Sequence, residues 1–349
     1  MQEFDLSRFE YSLPEGLISQ HPPKDRSSSR LMVLDRGTGA TAHRSFPDIT
    51  RSLRPGDCLV LNDSKVFPAR FLGRKETGGQ AECLLLHYPD EIAPGTAHAQ
   101  ALLRSSKPFR PGMRIVCGED LSIIIRSLFG DGKAEVELVH AGDLSSALDK
   151  RGWVPLPPYI RRMPEASDRD RYQTVYAADA GSVAAPTAGL HFTRELLDDI
   201  GKAKVSIVRV TLHVGLGTFA PIRCSDVREH RIHAEWIRVP EETAETIAET
   251  HSRGGRVVAV GTTSVRAIEA AATEDGHIRP VEGACTLYIV PGYRFRVVDA
   301  MVTNFHLPAS SLLVLVSAFA GRERILAAYE EAIREGYRFY SYGDAMLII

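Results

Sequence analysis

A chain of 349 residues, 44% hydrophobic and 25% charged, has ordinary globular composition and length enough to bury a sizeable core, with about two domains expected from size. Its formal net charge of −2 excludes the strong basic excess of a dedicated nucleic-acid binder, so any RNA contact must come from local basic patches. Five scattered cysteines (Cys58, Cys83, Cys117, Cys224 and Cys285) with no CxxC pair offer no zinc site and fit a reducing, cytoplasmic setting.

The N-terminal stretch carries Asp5, Arg8 and Glu10 before any apolar run, unlike a signal peptide. From Gly56 to His140 the chain reads as short strands and turns: Leu59–Leu61, Ala81–Leu86, Met113–Cys117, Leu121–Leu128 and Ala134–Val139. Gly78-Gly79, Pro94-Gly95, Pro111-Gly112 and Gly130-Asp131-Gly132 punctuate them, which predicts a small barrel or sandwich, with a hairpin at Gly130–Gly132. The stiff segment Trp153 to Tyr159, with Pro155, Pro157 and Pro158, cannot be helical and marks a boundary. Beyond it strands alternate with helices. Val205–Thr211, Arg256–Val260, Cys285–Val290 and Val297–Val302 read as strands. Glu241–Arg253, Val265–Ala272, Leu312–Phe319 and Arg322–Glu335 read as helices. The apolar run Leu312 to Ala320 is far short of the ~20 residues that span a bilayer, so no membrane contact is expected. The expected architecture is an α/β main domain, residues 1–64 plus 153–349, with residues 65–152 inserted as a smaller β-rich domain.

Four stretches of the main domain carry residues suited to ligands. Gly181–Thr193 is a small-residue loop containing Thr187, Gly189 and His191 and ending at a helix N-cap, Thr193. Tight packing around one buried histidine explains it as well as a ligand does. Thr211–Phe219 holds His213, Gly215, Gly217 and Thr218; its GxG lacks the third glycine of a dinucleotide fingerprint. Thr262, Thr263 and Ser264 form a polar turn between a strand and a helix that carries Arg266, where open α/β sheets bind ligands, although one of the hydroxyls could cap the helix. Asn304 and His306 follow another strand. Basic residues cluster at Arg70, Arg74 and Lys75; at Arg104, Lys107, Arg110 and Arg114; and at Arg161, Arg162, Arg169 and Arg171. Phe109 accompanies the second cluster, and Tyr159 and Tyr172 the third, a mix suited to phosphate contact and base stacking.

Taken together, GDCLVLNDSKVFPAR (56–70), PLPPYI (155–160), YQTVYA (172–177), Gly181–Thr193, Thr211–Phe219, AVGTTSVRAIE (259–269), Pro291–Pro308 and YRFYSYGDAMLI (337–348) resemble the S-adenosylmethionine:tRNA ribosyltransferase-isomerases of queuosine biosynthesis. Ser64-Lys65 stands where that family usually has Thr-Arg, and Ile232 and Ala234 where Met and Ser are usual. The resemblance implies that the inserted domain is a β-barrel. It also implies transfer and isomerisation of the ribosyl group of S-adenosylmethionine onto 7-aminomethyl-7-deazaguanine at the wobble position of tRNAs for Asp, Asn, His and Tyr. Epoxyqueuosine-tRNA forms; adenine and methionine leave. S-adenosylmethionine would be a consumed substrate, with no cofactor and no metal, and the protein a cytoplasmic monomer.

That chemistry needs a base at the 5′ carbon beside the sulfonium, an acid for the leaving adenine and a base for the attacking amine. His191, His213, Glu235, His306 and Asp344 are expected to converge on one pocket and to include the 5′ base. Thr187, Gly189, Thr193, Gly215, Gly217, Thr218, Thr262, Thr263, Ser264, Arg266 and Asn304 are expected to hold S-adenosylmethionine or the deazaguanine, and Lys107, Arg110, Arg161 and Arg162 the tRNA. Two other functions compete: a nucleotide-processing transferase or hydrolase that never meets RNA, and a non-catalytic RNA-binding module.

Overall fold

The computed structural model describes residues 2–215, 217 and 221–349. Its largest element is a nine-stranded mixed sheet. The strands run in the order Val281–Cys285, Glu235–Val239, Ser206–Leu212, Cys58–Asn62, Val257–Val260, Ala300–Asn304, Ala345–Ile348, Arg30–Leu34 and Thr41–Ser45. The four from Ser206–Leu212 to Ala300–Asn304 are mutually parallel. The inner three, Cys58–Asn62, Val257–Val260 and Ala300–Asn304, are buried along their whole length and mostly apolar, while Ser206–Leu212 exposes Ser206 and Arg209. Cys58, Val60, Val257 and Ala259 join one core, while Leu59, Leu61, Val258 and Val260 join the other, the period-two alternation of a pleated strand. Helices Glu241–Ser252, Thr262–Ala271, Ser311–Ala320 and Arg322–Arg334 bury Ile247, Val265, Leu313 and Ile325 on the first face; helix Arg194–Lys202 buries Leu196 and Ile200 on the second.

The second unit is a closed barrel of six antiparallel strands. Arg70–Lys75, Gln80–Leu85, Thr96–Ser105, Lys133–His140, Leu121–Gly130 and Arg114–Val116 pair in a ring, and Asp90–Ala93 adds to Thr96–Ser105 outside it. The ring encloses its own core of Phe71, Cys83, Leu85, Ala99, Ile123 and Val136. Closure leaves no open edge, which is how so small a sheet avoids pairing with other chains. The protein is therefore an α/β domain with an inserted β-barrel.

Some expected elements moved. No strand occupies residues 286–290; the strand is Val281–Cys285, pairing antiparallel to Glu235–Val239. Leu287 and Val290 are apolar because they pack on the main core, and burial without pairing reads like a strand. The strand expected at Val297–Val302 is Ala300–Asn304, which carries Asn304 to the sheet's rim.

Arg162, expected to hold tRNA phosphate, is instead committed inside the protein. Its guanidinium donates two hydrogen bonds to Asp168, both 2.7 Å, and a third to the carbonyl of Gln20 at 2.9 Å. Asp168 is fully buried and also accepts from Tyr342 Oη and the Glu165 amide. Despite burial, these donors hold its carboxyl below the ordinary carboxylate range. Replacing Arg162 with Ala would strand that buried charge. Urea denaturation should show a loss of about 3–5 kcal/mol; an unchanged midpoint would overturn this reading.

Candidate functional site

The register of the sheet gathers the candidate residues. The parallel strands Cys58–Asn62, Ser206–Leu212, Val257–Val260 and Ala300–Asn304 all end on one rim, followed by Asp63 and Ser64, His213, Thr262, and Phe305 and His306. Ala345–Ile348 runs antiparallel with Ala345 opposite Asn304, so its first end lies on the same rim and brings Asp344 there. Glu235–Val239 is likewise antiparallel to Ser206–Leu212 and brings Glu235. This is the edge at which open α/β sheets place ligands.

One stretch of the rim is a cleft lined by Thr187, Ala188, Thr262, Thr263, Asn304, His306, Tyr159 and Tyr340 among others. The helix Thr262–Ala271 starts there from Gly261 (φ 87°), with no side chain capping its first amides. Thr263 Oγ1 is buried without a hydrogen-bond partner among the described residues. Ser264 instead donates its hydroxyl to Val260 O at 2.7 Å, so it is spent on the backbone rather than offered to a ligand. Asn304 Oδ1 accepts from Thr187 Oγ1 at 2.9 Å, and Asn304 Nδ2 donates to His191 Nε2 at 3.1 Å.

That donation fixes His191. With Nε2 accepting, Nδ1 carries the proton and donates to Ser29 Oγ at 2.6 Å, which passes its own proton to Arg26 O. His191 is a buried, neutral ring with both nitrogens occupied, standing behind Asn304. Burial pushes its pKa down to about 4. His306 lines the cleft and bonds Thr303 Oγ1 through Nε2 at 2.7 Å; burial pushes it down to about 3. Asp344 is also internal. Its carboxylate accepts the amides of Arg30 and Arg338 and the Arg338 guanidinium at 2.8–3.1 Å, tying the end strands together.

The neighbouring stretch of rim is ionic. His213 stacks on Trp236, with ring centroids 5.0 Å apart and planes 15° from parallel. Its Nδ1 meets Ser64 Oγ at 2.8 Å, and its Nε2 faces Asp179 Oδ1 at 4.0 Å. Asp179 is itself held by Arg238 at 2.7 Å. Burial lowers the His213 pKa below its ordinary value, with the Asp179 carboxylate opposing that shift. Asp63 lies against the same group; burial pushes its carboxyl up, and Thr211 Oγ1 donates to it at 2.7 Å. Glu235 accepts from the Gly215 amide at 2.9 Å and pairs with Arg266, both side chains being buried.

The five residues expected in one pocket thus divide. His306 faces the cleft, His213 and Glu235 stand in the ionic cluster, and His191 and Asp344 sit one layer behind. Gly189 and Thr193 have local duties. A Cβ on Gly189 would come within 2.0 Å of Tyr176 Oη, and Thr193 Oγ1 caps its helix by accepting the Leu196 amide at 3.2 Å. A Cβ on Gly217 would meet the His233 ring at 2.5 Å. Thr218 lies outside the described residues. Asp63, Ser64 and Asp179 were not among the expected site residues, although the first two fall in the 56–70 string and Ser64 departs from the family's usual Thr; Asp179 is flanked by alanines and nothing local marks it.

The two buried histidines make stability depend on pH. Both have folded pKa values below the ordinary 6.5, so the unfolded chain binds protons that the folded one refuses. Their contribution is complete above pH 6.5 and declines as pH falls toward 4, by about 1.4 kcal/mol per pH unit for each. Urea midpoints should fall between pH 7 and pH 5, and His191→Gln or His306→Gln should flatten that fall; parallel profiles would refute it.

The family described as queuosine biosynthesis protein matches residues 6–348. An S-adenosylmethionine:tRNA ribosyltransferase-isomerase of Trichlorobacter lovleyi is 50% identical over 344 residues, 99% of each chain. One from Anaeromyxobacter dehalogenans is 52% identical over 345 residues, again 99% of each. The crystal structure of S-adenosylmethionine tRNA ribosyltransferase from Thermotoga maritima is similar, with a TM-score of 0.55 at 36% identity, covering 98% of this chain and 100% of that one. The chain belongs to the queuosine biosynthesis protein family.

Proposed function

We propose that this protein is an S-adenosylmethionine:tRNA ribosyltransferase-isomerase. It moves the ribosyl group of S-adenosylmethionine onto 7-aminomethyl-7-deazaguanine at the tRNA wobble position, giving epoxyqueuosine-tRNA, adenine and methionine. The observation that carries the reading is half-identity along essentially the whole length to enzymes of that name. S-adenosylmethionine is consumed, and its chemistry calls for no metal.

The substrate supplies most of the reactivity. The sulfonium acidifies the protons of the adjacent 5′ carbon, and removal of one starts the loss of adenine. Of the three rim histidines, His213 is the best base. A base at pKa about 3 has little drive to take a proton, which disfavours His306, and His191 has both nitrogens engaged. His213 is neutral at working pH, Ser64 fixes its Nδ1, and Asp179 stands ready to stabilise the imidazolium that forms. The Trp236 face stacked on it offers π density to a cation. Asp63, whose carboxyl burial pushes above its ordinary value, stands beside this base. Glu235 and Arg266 hold the loop at Gly215. The cleft of Thr187, Thr262, Thr263 and Asn304 receives ribose and adenine hydrogen bonds. The deazaguanine arrives on tRNA held partly by exposed Arg161 and by Lys107 and Arg110 of the inserted barrel, taken as residues 65–152.

Adenine and methionine should appear only when S-adenosylmethionine and tRNA bearing the deazaguanine are both present. Chromatography decides this; methylated tRNA with S-adenosylhomocysteine would refute it. His213→Gln, verified as folded, should lose about 10²–10⁴ in kcat together with deuterium exchange at the 5′ carbon. Exchange at the wild-type rate would remove His213 from the role.

A further inference from the structure

The barrel carries a basic surface that the catalytic rim does not use. Its strand Arg70–Lys75 leaves the main domain at Arg70, which bridges to Trp153, and ends roughly 17 Å away, at about 3.3 Å per residue. At that far end lie the loop 106–113 and the hairpin turn Gly130-Asp131-Gly132. Between them is a groove lined by Arg104, Lys107, Phe109, Leu128 and Lys133. Arg104, Lys107, Arg110 and Lys133 are exposed, and none forms an ion pair among the described residues. Four other arginines of the barrel contrast with them: Arg70, Arg114, Arg126 and Arg151 face Glu82, Glu76, Glu137 and Asp120, while Arg74 donates to the Gly78 carbonyl. Asp131, at the hairpin tip, is the opposing charge.

The loop is braced from beneath. Lys75 is only 7% exposed, yet no carboxylate pairs with it among the described residues. Its Nζ donates to Lys107 O at 2.6 Å and lies 4.1 Å from the centre of the Phe109 ring. A buried ammonium without a counter-ion is costly unless it is bonded, and here the loop's own backbone and an aromatic face supply the bonds. The same charge adds to the positive field of the groove. Phe129, 60% exposed beside it, presents an aromatic face to solvent.

Resting on the function proposed above, we propose that this far end of the barrel is a docking surface for the tRNA phosphate backbone, gripping the RNA at a distance from the reacting base. Uncompensated cations around a preformed groove complement a polyanion. The same excess disfavours a second copy of this chain, which would set like charges face to face.

The test is tRNA binding to the full chain across a salt series, using tyrosine tRNA that carries the deazaguanine. The variant is Arg104→Gln, Lys107→Gln, Arg110→Gln and Lys133→Gln combined, all exposed positions whose loss leaves both cores intact. The expected result is tRNA affinity weakened at least tenfold, a log–log salt slope shallower by about three units, and unchanged S-adenosylmethionine binding. A wild-type chain that binds tRNA steeply, with a variant of the same slope, overturns the docking surface and leaves the proposed function standing. A wild-type chain that does not bind tRNA overturns both. A dimer that dissociates in sedimentation on Phe129→Ser would assign the surface to self-association instead and overturn the proposal.

Discussion

The site depends on the antiparallel pairing of Ala345–Ile348 with Ala300–Asn304. That one strand fills the gap between the parallel block and the N-terminal hairpin, pairing parallel with Arg30–Leu34 on its other side. Its direction brings the Asp344 carboxylate to the rim, where it collects the Arg30 and Arg338 amides. Once that seam is closed, Ser29 stands against His191, His191 orients Asn304, and Asn304 orients Thr187 at the cleft wall. A pairing of backbone groups is thereby converted, through four side chains, into the placement of a ligand-facing hydroxyl.

The two parts of the rim differ in how they treat charge. The cleft is lined by hydroxyls, an amide and neutral rings, and the histidines in and behind it are held unprotonated by burial. The neighbouring cluster keeps Asp179, Arg238, Glu235 and Arg266 as paired ions around His213 and Trp236. A substrate whose reacting centre is a cation bonded to an uncharged nucleoside fits such a division. On the proposed function, the neutral part would hold the nucleoside without competing ions, and the ionic part would handle the proton.

Much of this was legible locally. Thr193 read as a helix cap, and it accepts the amide three residues ahead. The hairpin around Gly130–Gly132 and the change of pattern after Trp153 needed only turn chemistry and periodicity. What could not be read was which polar side chain would be spent on which partner. His191 and Ser29 are 162 positions apart, and Glu235 and Arg266 are 31 apart. In sequence a histidine in a small-residue loop looks the same whether its nitrogens face a ligand or a buried serine. Arg162 was misread for the same reason: Asp168 is six positions on, but only the fold removes it from water and makes the pair obligatory. The missing strand at Leu287–Val290 shows the converse limit, since apolar residues mark burial and do not by themselves specify pairing.

The seam strand also sets a timetable for synthesis. Arg30 and Asp344, bonded across it, are separated by 314 positions. At ribosomal rates of about 5–20 residues per second, the N-terminal hairpin therefore waits roughly 15–60 s for its neighbour. Throughout that interval Leu31, Met32 and Leu34, which the finished fold buries completely, have an unsatisfied edge beside them. The barrel is under no such delay, because every partner in its ring lies between Arg70 and His140. The nascent chain would thus carry a finished barrel for many seconds before its catalytic sheet could close. Over that time the hairpin, rather than the barrel, is the segment a ribosome-associated chaperone would need to shield.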